Sequence, residues 1–191
     1  MIISLTGPSG IGKGFLTHAI TTHLGASIIP WTTTRQPRPG LTEANRHFVS
    51  EAEFKSLERA GSLVGVQRMH SAAYALQTSL LSDTPSDVRI CEVHIGNTAH
   101  IWPKLQSCFK IGLVTNDYAL LQKRMRHRDP DITPTELADR TGRIEAEVNA
   151  ICEIADAFDL LYQVTTDNEQ TIAATVLAAI QEGADNVKTR N

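Results

Sequence analysis

The sequence predicts an α/β fold, a central parallel sheet flanked by helices, and three observations carry that expectation. A glycine-rich run, Gly7-Pro8-Ser9-Gly10-Ile11-Gly12-Lys13, directly follows an apolar segment at 2–6. Short apolar runs at 2–6, 27–31, 88–95, 110–115 and 160–165 are bounded by polar or turn residues, as buried parallel strands are. Helical patterns alternate with them at 13–24, 98–107, 117–127, 134–156 and 168–182.

The first strand, 2–6, runs straight into G-x-x-x-x-G-K spacing. Backbone N–H groups of such a loop converge on phosphate oxygens, and its lysine reaches the last two phosphates of a nucleoside triphosphate. Glycines let the chain turn tightly and approach an anion where a Cβ would obstruct it. The helix at 13–24 adds the positive end of its dipole. Gly7, Pro8, Ser9, Gly10, Ile11, Gly12 and Lys13 are therefore the expected loop for a nucleoside triphosphate, which the resemblance given below extends to Gly14 and to ATP.

After the second strand, 27–31, residues 32–86 interrupt the alternation with arginines, glycines and prolines. This reads as an insertion standing on the carboxyl edge of the sheet, where such folds bind ligands. Within it, Ser50-Glu51-Ala52-Glu53 is a capping box that starts a helix at about 51–60. On the next strand, 88–95, Glu92 and His94 are two apart and so share one face near its carboxyl end. Residues 126–133 form a second polar excursion. A further capping box, Thr133-Pro134-Thr135-Glu136, opens the helix at 134–156 with proline at its first position. Two flaps over a phosphate loop suit a phosphotransferase that must exclude water.

Composition bounds the partners. The 191 residues are 41% hydrophobic and 20% charged, as in an ordinary one-domain protein. A net charge of −3 argues against a nucleic-acid surface or a basic membrane patch. The three cysteines lack metal spacing and read as free thiols of a reducing compartment. The opening strand leaves no room for a signal peptide, and no apolar run approaches membrane-spanning length. A cytoplasmic enzyme with small-molecule partners, and neither nucleic acid nor membrane, is the expectation.

Thr32-Thr33-Thr34-Arg35-Gln36-Pro37-Arg38-Pro39-Gly40, followed by Phe48-Val49-Ser50 and Glu53-Phe54, resembles guanylate kinase, as does the loop through Gly14. The resemblance implies a P-loop nucleoside monophosphate kinase-like fold over 1–191, with an acceptor-binding insert at about 32–86 and a lid at about 125–140. It also implies ATP and Mg2+. Lys13, Arg128 and Arg140 would be catalytic, and Arg124 and Thr166 would join the loop in binding ATP. Thr32, Arg35, Arg38, Arg46, Tyr74, Glu92, His94 and Arg143 would bind the acceptor. A guanidinium matches phosphate bidentately, which suits Arg35 and Arg38 to an acceptor phosphate. The spacings Glu136–Arg140 and Asp139–Arg143 also permit ion pairs along one helix face.

Departures from the pattern bear on the substrate. Leu41 and Gly65 stand where guanylate kinases carry acidic residues that read guanine, so ordinary GMP specificity is not expected. Glutamate restored at both places is expected to improve GMP use. Arg46 or His47 falls near the place of a phosphate-touching tyrosine. Gly14 and Phe15 supply no hydroxyl for magnesium, and Thr17, a full turn further, is expected to point elsewhere. Magnesium would then lack a direct protein ligand, with Glu92 acting through water. The chain also resembles ribose 1,5-bisphosphate phosphokinase, a relative of guanylate kinase, in length and in Gly96-Asn97-Thr98-Ala99-His100, which implies a phosphosugar kinase as the alternative. A non-catalytic guanylate-kinase-like binding module is the third reading.

Overall fold

A computed structural model describes residues 1–37, 40, 42–69, 72–82, 87–165 and 169–188. Arg38, Leu41 and Thr166, each singled out above, lie outside the described residues.

Five parallel strands form the main sheet. They are β1 (Ile2–Thr6), β2 (Ser27–Ile28), β7 (Arg89–Glu92), β8 (Cys108–Val114) and β9 (Leu160–Gln163), in the order β2-β7-β1-β8-β9. Strand β1 is central and buried throughout, which is why it reads as a continuous apolar run rather than an alternating one. On one face Ile3, Leu5, Ile111 and Leu113 pack with the apolar stripes of α1 (Lys13–Leu24), α4 (Tyr118–Arg128), α5 (Pro134–Glu153) and α6 (Glu169–Lys188). On the other, Ile2, Cys91 and Val93 pack with Ile101, Leu105 and Trp31.

The second run, expected as one strand at 27–31, divides at Pro30. Ile29 N–H still donates to Ile90 O, but proline has no N–H to continue the ladder. The chain leaves the main sheet there, and Trp31 N–H donates to Asn45 O. Trp31–Thr33 is β3 of a second, mixed sheet, ordered β4-β3-β6-β5 with β4 (Arg46–Phe48), β5 (Leu63–Met69) and β6 (Ala72–Gln77). Helix α2 (Glu51–Arg59) begins at Ser50, whose Oγ accepts from Glu53 N–H at 3.1 Å, and buries Phe54 beside Ala73 and Ala75.

Two other expected elements are shorter. The helix at 98–107 is a four-residue α3 (Thr98–Ile101) followed by a 3₁₀ turn, Trp102–Lys104, because Pro103 cannot continue α-helical bonding. The strand at 88–95 ends at Glu92, and His94 instead caps a 3₁₀ turn at Ile95–Asn97. The segment 125–140 is two helix ends joined by 129–133. Helix α4 runs to Arg128, and the Thr133–Glu136 capping box is formed at the start of α5.

Candidate active site

The phosphate loop sits between β1 and α1. Gly10 and Gly12 have φ of 81° and 106°, which disfavours side chains there. A Cβ at Gly10 would also lie 2.8 Å from Leu121 O. Helix α1 starts at Gly12 without a side-chain cap, and its first turn has no acidic residue. Its leading N–H groups therefore face a place suited to an anion. Lys13 Nζ donates to Gly7 O at 2.7 Å and Pro8 O at 3.0 Å, so the ammonium is folded onto its own loop. Burial pushes its pKa down, while Glu92 and Glu147 oppose that shift.

Loop and inserted sheet enclose a cleft of about 320 Å³ at the carboxyl edge of the main sheet. Of the expected residues, the structure brings Gly7, Ser9, Lys13, Arg46, Tyr74, Glu92, His94, Arg128, Arg140 and Arg143 to its walls. Gly10, Gly12 and Gly14 face a further cleft beside Arg124 and Arg128. There Arg124 Nη1 donates to Ile11 O at 3.1 Å, tying α4 to the loop. Pro8 and Ile11 are buried.

Some expected residues stand elsewhere. Arg35 lines an adjoining cleft that shares Arg46, Tyr74 and Arg140 with the first. Its Nη2 pairs with Glu43 Oε1 at 2.6 Å, and its guanidinium lies over the Phe48 ring. Thr32 is fully buried, and its hydroxyl accepts from Gln77 Nε2, so it reaches neither cleft. Arg140 Nη1 lies 4.0 Å from Asp129 Oδ2 rather than pairing with Glu136, whose carboxylate closes the α5 cap.

Thr17, expected to point away from the phosphate loop, has a definite partner. It is buried, and its Oγ1 donates to Glu92 Oε1 at 3.1 Å across the α1–β7 contact. The main chain of Glu92 is held as well, since Trp31 Nε1 donates to Glu92 O at 2.6 Å. One hydrogen bond thus holds the carboxylate and another the main chain that carries it.

The expectation for Gly65 is corrected. It lies in β5 beside a register shift, at φ 64°, and a Cβ there would meet Ile101 Cδ1 at 2.9 Å and Asn97 Nδ2 at 3.3 Å. Position 65 therefore faces packed side chains rather than the cleft. Gln67, two residues on, lines the cleft instead, as do Trp31 and Glu147. Sequence reasoning missed all three. The Trp31 run reads as core, a bulge that reorients Gln67 has no sequence signature, and Glu147 lies on an ordinary polar helix face.

Among the described residues no group of three or more His, Cys, Asp or Glu side chains is placed to hold a metal ion. None of the described helices is long and apolar enough to cross a membrane.

The chain is similar to named guanylate kinases over most of its length. The enzyme of Prochlorococcus marinus is 27% identical over 187 residues, covering 94% of this chain and 96% of the relative. That of Nostoc sp. is 26% identical over 183 residues, covering 94% and 88%. That of Lactobacillus acidophilus is 28% identical over 164 residues, covering 82% and 77%. No protein-family model matches the chain. Among solved structures, guanylate kinase from Anaplasma phagocytophilum superposes with a TM-score of 0.64 at 16% identity, covering 95% of this chain and 85% of that one. A gluconokinase from Sinorhizobium meliloti gives 0.59 at 15% identity, covering 99% and 96%. The fold is that of the P-loop kinases.

Proposed function

We propose that the chain is an ATP-dependent phosphotransferase of the guanylate-kinase kind, moving the γ-phosphoryl of ATP onto the phosphate of a small nucleotide acceptor. One observation carries this reading. The Lys13 loop opens into the same cleft as Arg46, Arg128, Arg140 and Arg143, so donor and acceptor phosphates would meet among converging cations.

In this reading the triphosphate takes the place of Gly7 O and Pro8 O as partner of the Lys13 ammonium. The leading N–H groups of α1 and the glycine loop hold its phosphates. An oxygen of the acceptor phosphate forms a bond to the γ-phosphorus as the bond to the β–γ bridging oxygen breaks, and ADP leaves. Arg128 and Arg140 reach the cleft from the two sides of the 129–133 link. Drawing that link inward would bring their charge onto the transferred group and exclude water.

Magnesium fits in a limited way. With no hydroxyl at 14 or 15, the phosphates and water would supply most of its ligands, and Glu92 would hold one of those waters. Bound there, the ion would neutralise charge on the β- and γ-phosphates.

A phosphosugar acceptor is a second reading, favoured by the turn of position 65 away from the cleft and by Arg46 within it. The test is ATP consumption across nucleoside monophosphates and phosphosugars. The first reading predicts turnover with a nucleotide other than GMP, and the second predicts a sugar phosphate as best acceptor. Turnover with GMP above all others contradicts the expected loss of GMP specificity.

A further inference from the structure

A cleft built only to hold phosphates would be lined by cations alone, and this one is not. Against Lys13 and four arginines it sets Glu92 and Glu147. Glu92 accepts from Thr17 and, on the reading above, holds a magnesium-bound water. Glu147, on α5, is the other. A carboxylate repels phosphate, and its use in a ligand cleft is to accept hydrogen bonds from neutral O–H or N–H groups.

Its setting is built rather than incidental. Gly96 N–H donates to His94 Nδ1 at 3.1 Å, so that nitrogen bears no proton and Nε2 carries the hydrogen. His94 Nε2–H then donates to Glu147 Oε1 at 3.2 Å, which fixes one carboxylate oxygen and leaves the other for a ligand. With both ring nitrogens hydrogen-bonded, His94 is a positioning residue. Gln67 stands on the far side of the same turn. A Cβ on Gly96 would lie 3.3 Å from His94 Nδ1 and 3.9 Å from Gln67 Nε2. No hydrogen bond among the described residues engages the Gln67 carboxamide. An amide both donates and accepts, so it complements a carboxylate that only accepts.

We propose that Glu147 and Gln67, with His94 orienting Glu147, form the subsite that reads the uncharged part of the acceptor by accepting from its O–H or N–H groups. This rests on the reading of the cleft as the acceptor site. It assigns the discrimination that position 65 cannot supply to a different wall, formed by α5, β5 and the turn after β7.

The test is equilibrium binding by calorimetry of inorganic phosphate, ribose 5-phosphate and GMP to the full chain, wild type and variants. Wild type should bind at least one of the two esters more tightly than inorganic phosphate. Glu147→Ala and Gln67→Leu should each weaken that ester about tenfold, the worth of one such hydrogen bond, with inorganic phosphate bound no more weakly. His94→Ala should weaken it less, and should add nothing in the Glu147→Ala background, because the two act through one contact. Loss confined to GMP identifies base N–H groups as the donors, and loss with ribose 5-phosphate identifies sugar hydroxyls. Esters bound no better than inorganic phosphate, or variants that weaken ester and phosphate alike, overturn the subsite. Selective ester loss without any ATP turnover would instead overturn the kinase reading and leave the subsite standing.

Discussion

Lys13 is the residue on which the proposed chemistry turns, and its state is set by its surroundings. Burial lowers its pKa below the usual lysine value, against the pull of Glu92 and Glu147. Transfer needs the charged form, so kcat/KM for ATP should fall as pH rises through that lowered value, below the ordinary lysine range of about 10.4. A pH–rate profile flat to beyond that range would contradict the assignment. Lys13→Ala should abolish transfer with little change in Tm, since the side chain binds only two loop carbonyls. Thr17 acts on the carboxylate opposite. Thr17→Val removes the donor to Glu92 and should lower kcat roughly tenfold, on the scale of a hydrogen bond to a charged group. Thr17→Ser should retain activity, and equal loss in both variants would mean that Thr17 serves packing alone.

Arg35 makes the same point about partners. Its pairing with Glu43 in a half-buried setting means that an acceptor phosphate must compete with a carboxylate for the guanidinium. If Arg35 binds that phosphate, Glu43→Gln should lower the acceptor KM several-fold, while Arg35→Ala raises it with ATP KM unchanged. Steady-state kinetics in both substrates checks this, and a shift in ATP KM alone would place Arg35 on the wrong substrate.

At the scale of elements, the inserted sheet supplies one wall of the cleft. Strand β5 bulges near Gly65, which takes φ 64° against Ile101. Gly65→Glu should therefore destabilise the fold by roughly 1–2 kcal/mol, the penalty of a left-handed conformation for a residue with a Cβ. It should give no gain with GMP, contrary to what the sequence alone suggests. Thermal unfolding and GMP turnover of the variant decide the matter. Elements with local chemistry were legible beforehand. The apolar run of β1, the caps at Ser50 and Thr133 and the glycine loop each carry their own signal. The division at Pro30 is visible in the proline itself once a second sheet is known to receive Trp31. Strands β5 and β6 were not legible, because their pairing depends on long-range contacts and a bulge rather than on a clean alternation.

Across the whole molecule, the main sheet places the loop, α4 and α5 bring arginines over its carboxyl edge, and the second sheet closes the far side with Arg46, Gln67 and Tyr74. The cations lining this cleft could be read from spacing and resemblance, since the loop spacing and the arginine-rich segments carry their own signal. Of its neutral and counter-charged residues, Ser9, Tyr74, Glu92 and His94 were read in the same way and others were not. Gln67, Thr17 and Glu147 acquire their roles only from the fold. The central claim is phosphoryl transfer from ATP, through Lys13, to a phosphorylated small molecule. It is tested most directly by following label from γ-labelled ATP into a panel of nucleoside monophosphates and sugar phosphates, with wild type and Lys13→Ala side by side. The account predicts label in an acceptor other than GMP for wild type and none for the variant. Labelled product from the variant at the wild-type rate, or no labelled acceptor from wild type across the panel, would contradict it.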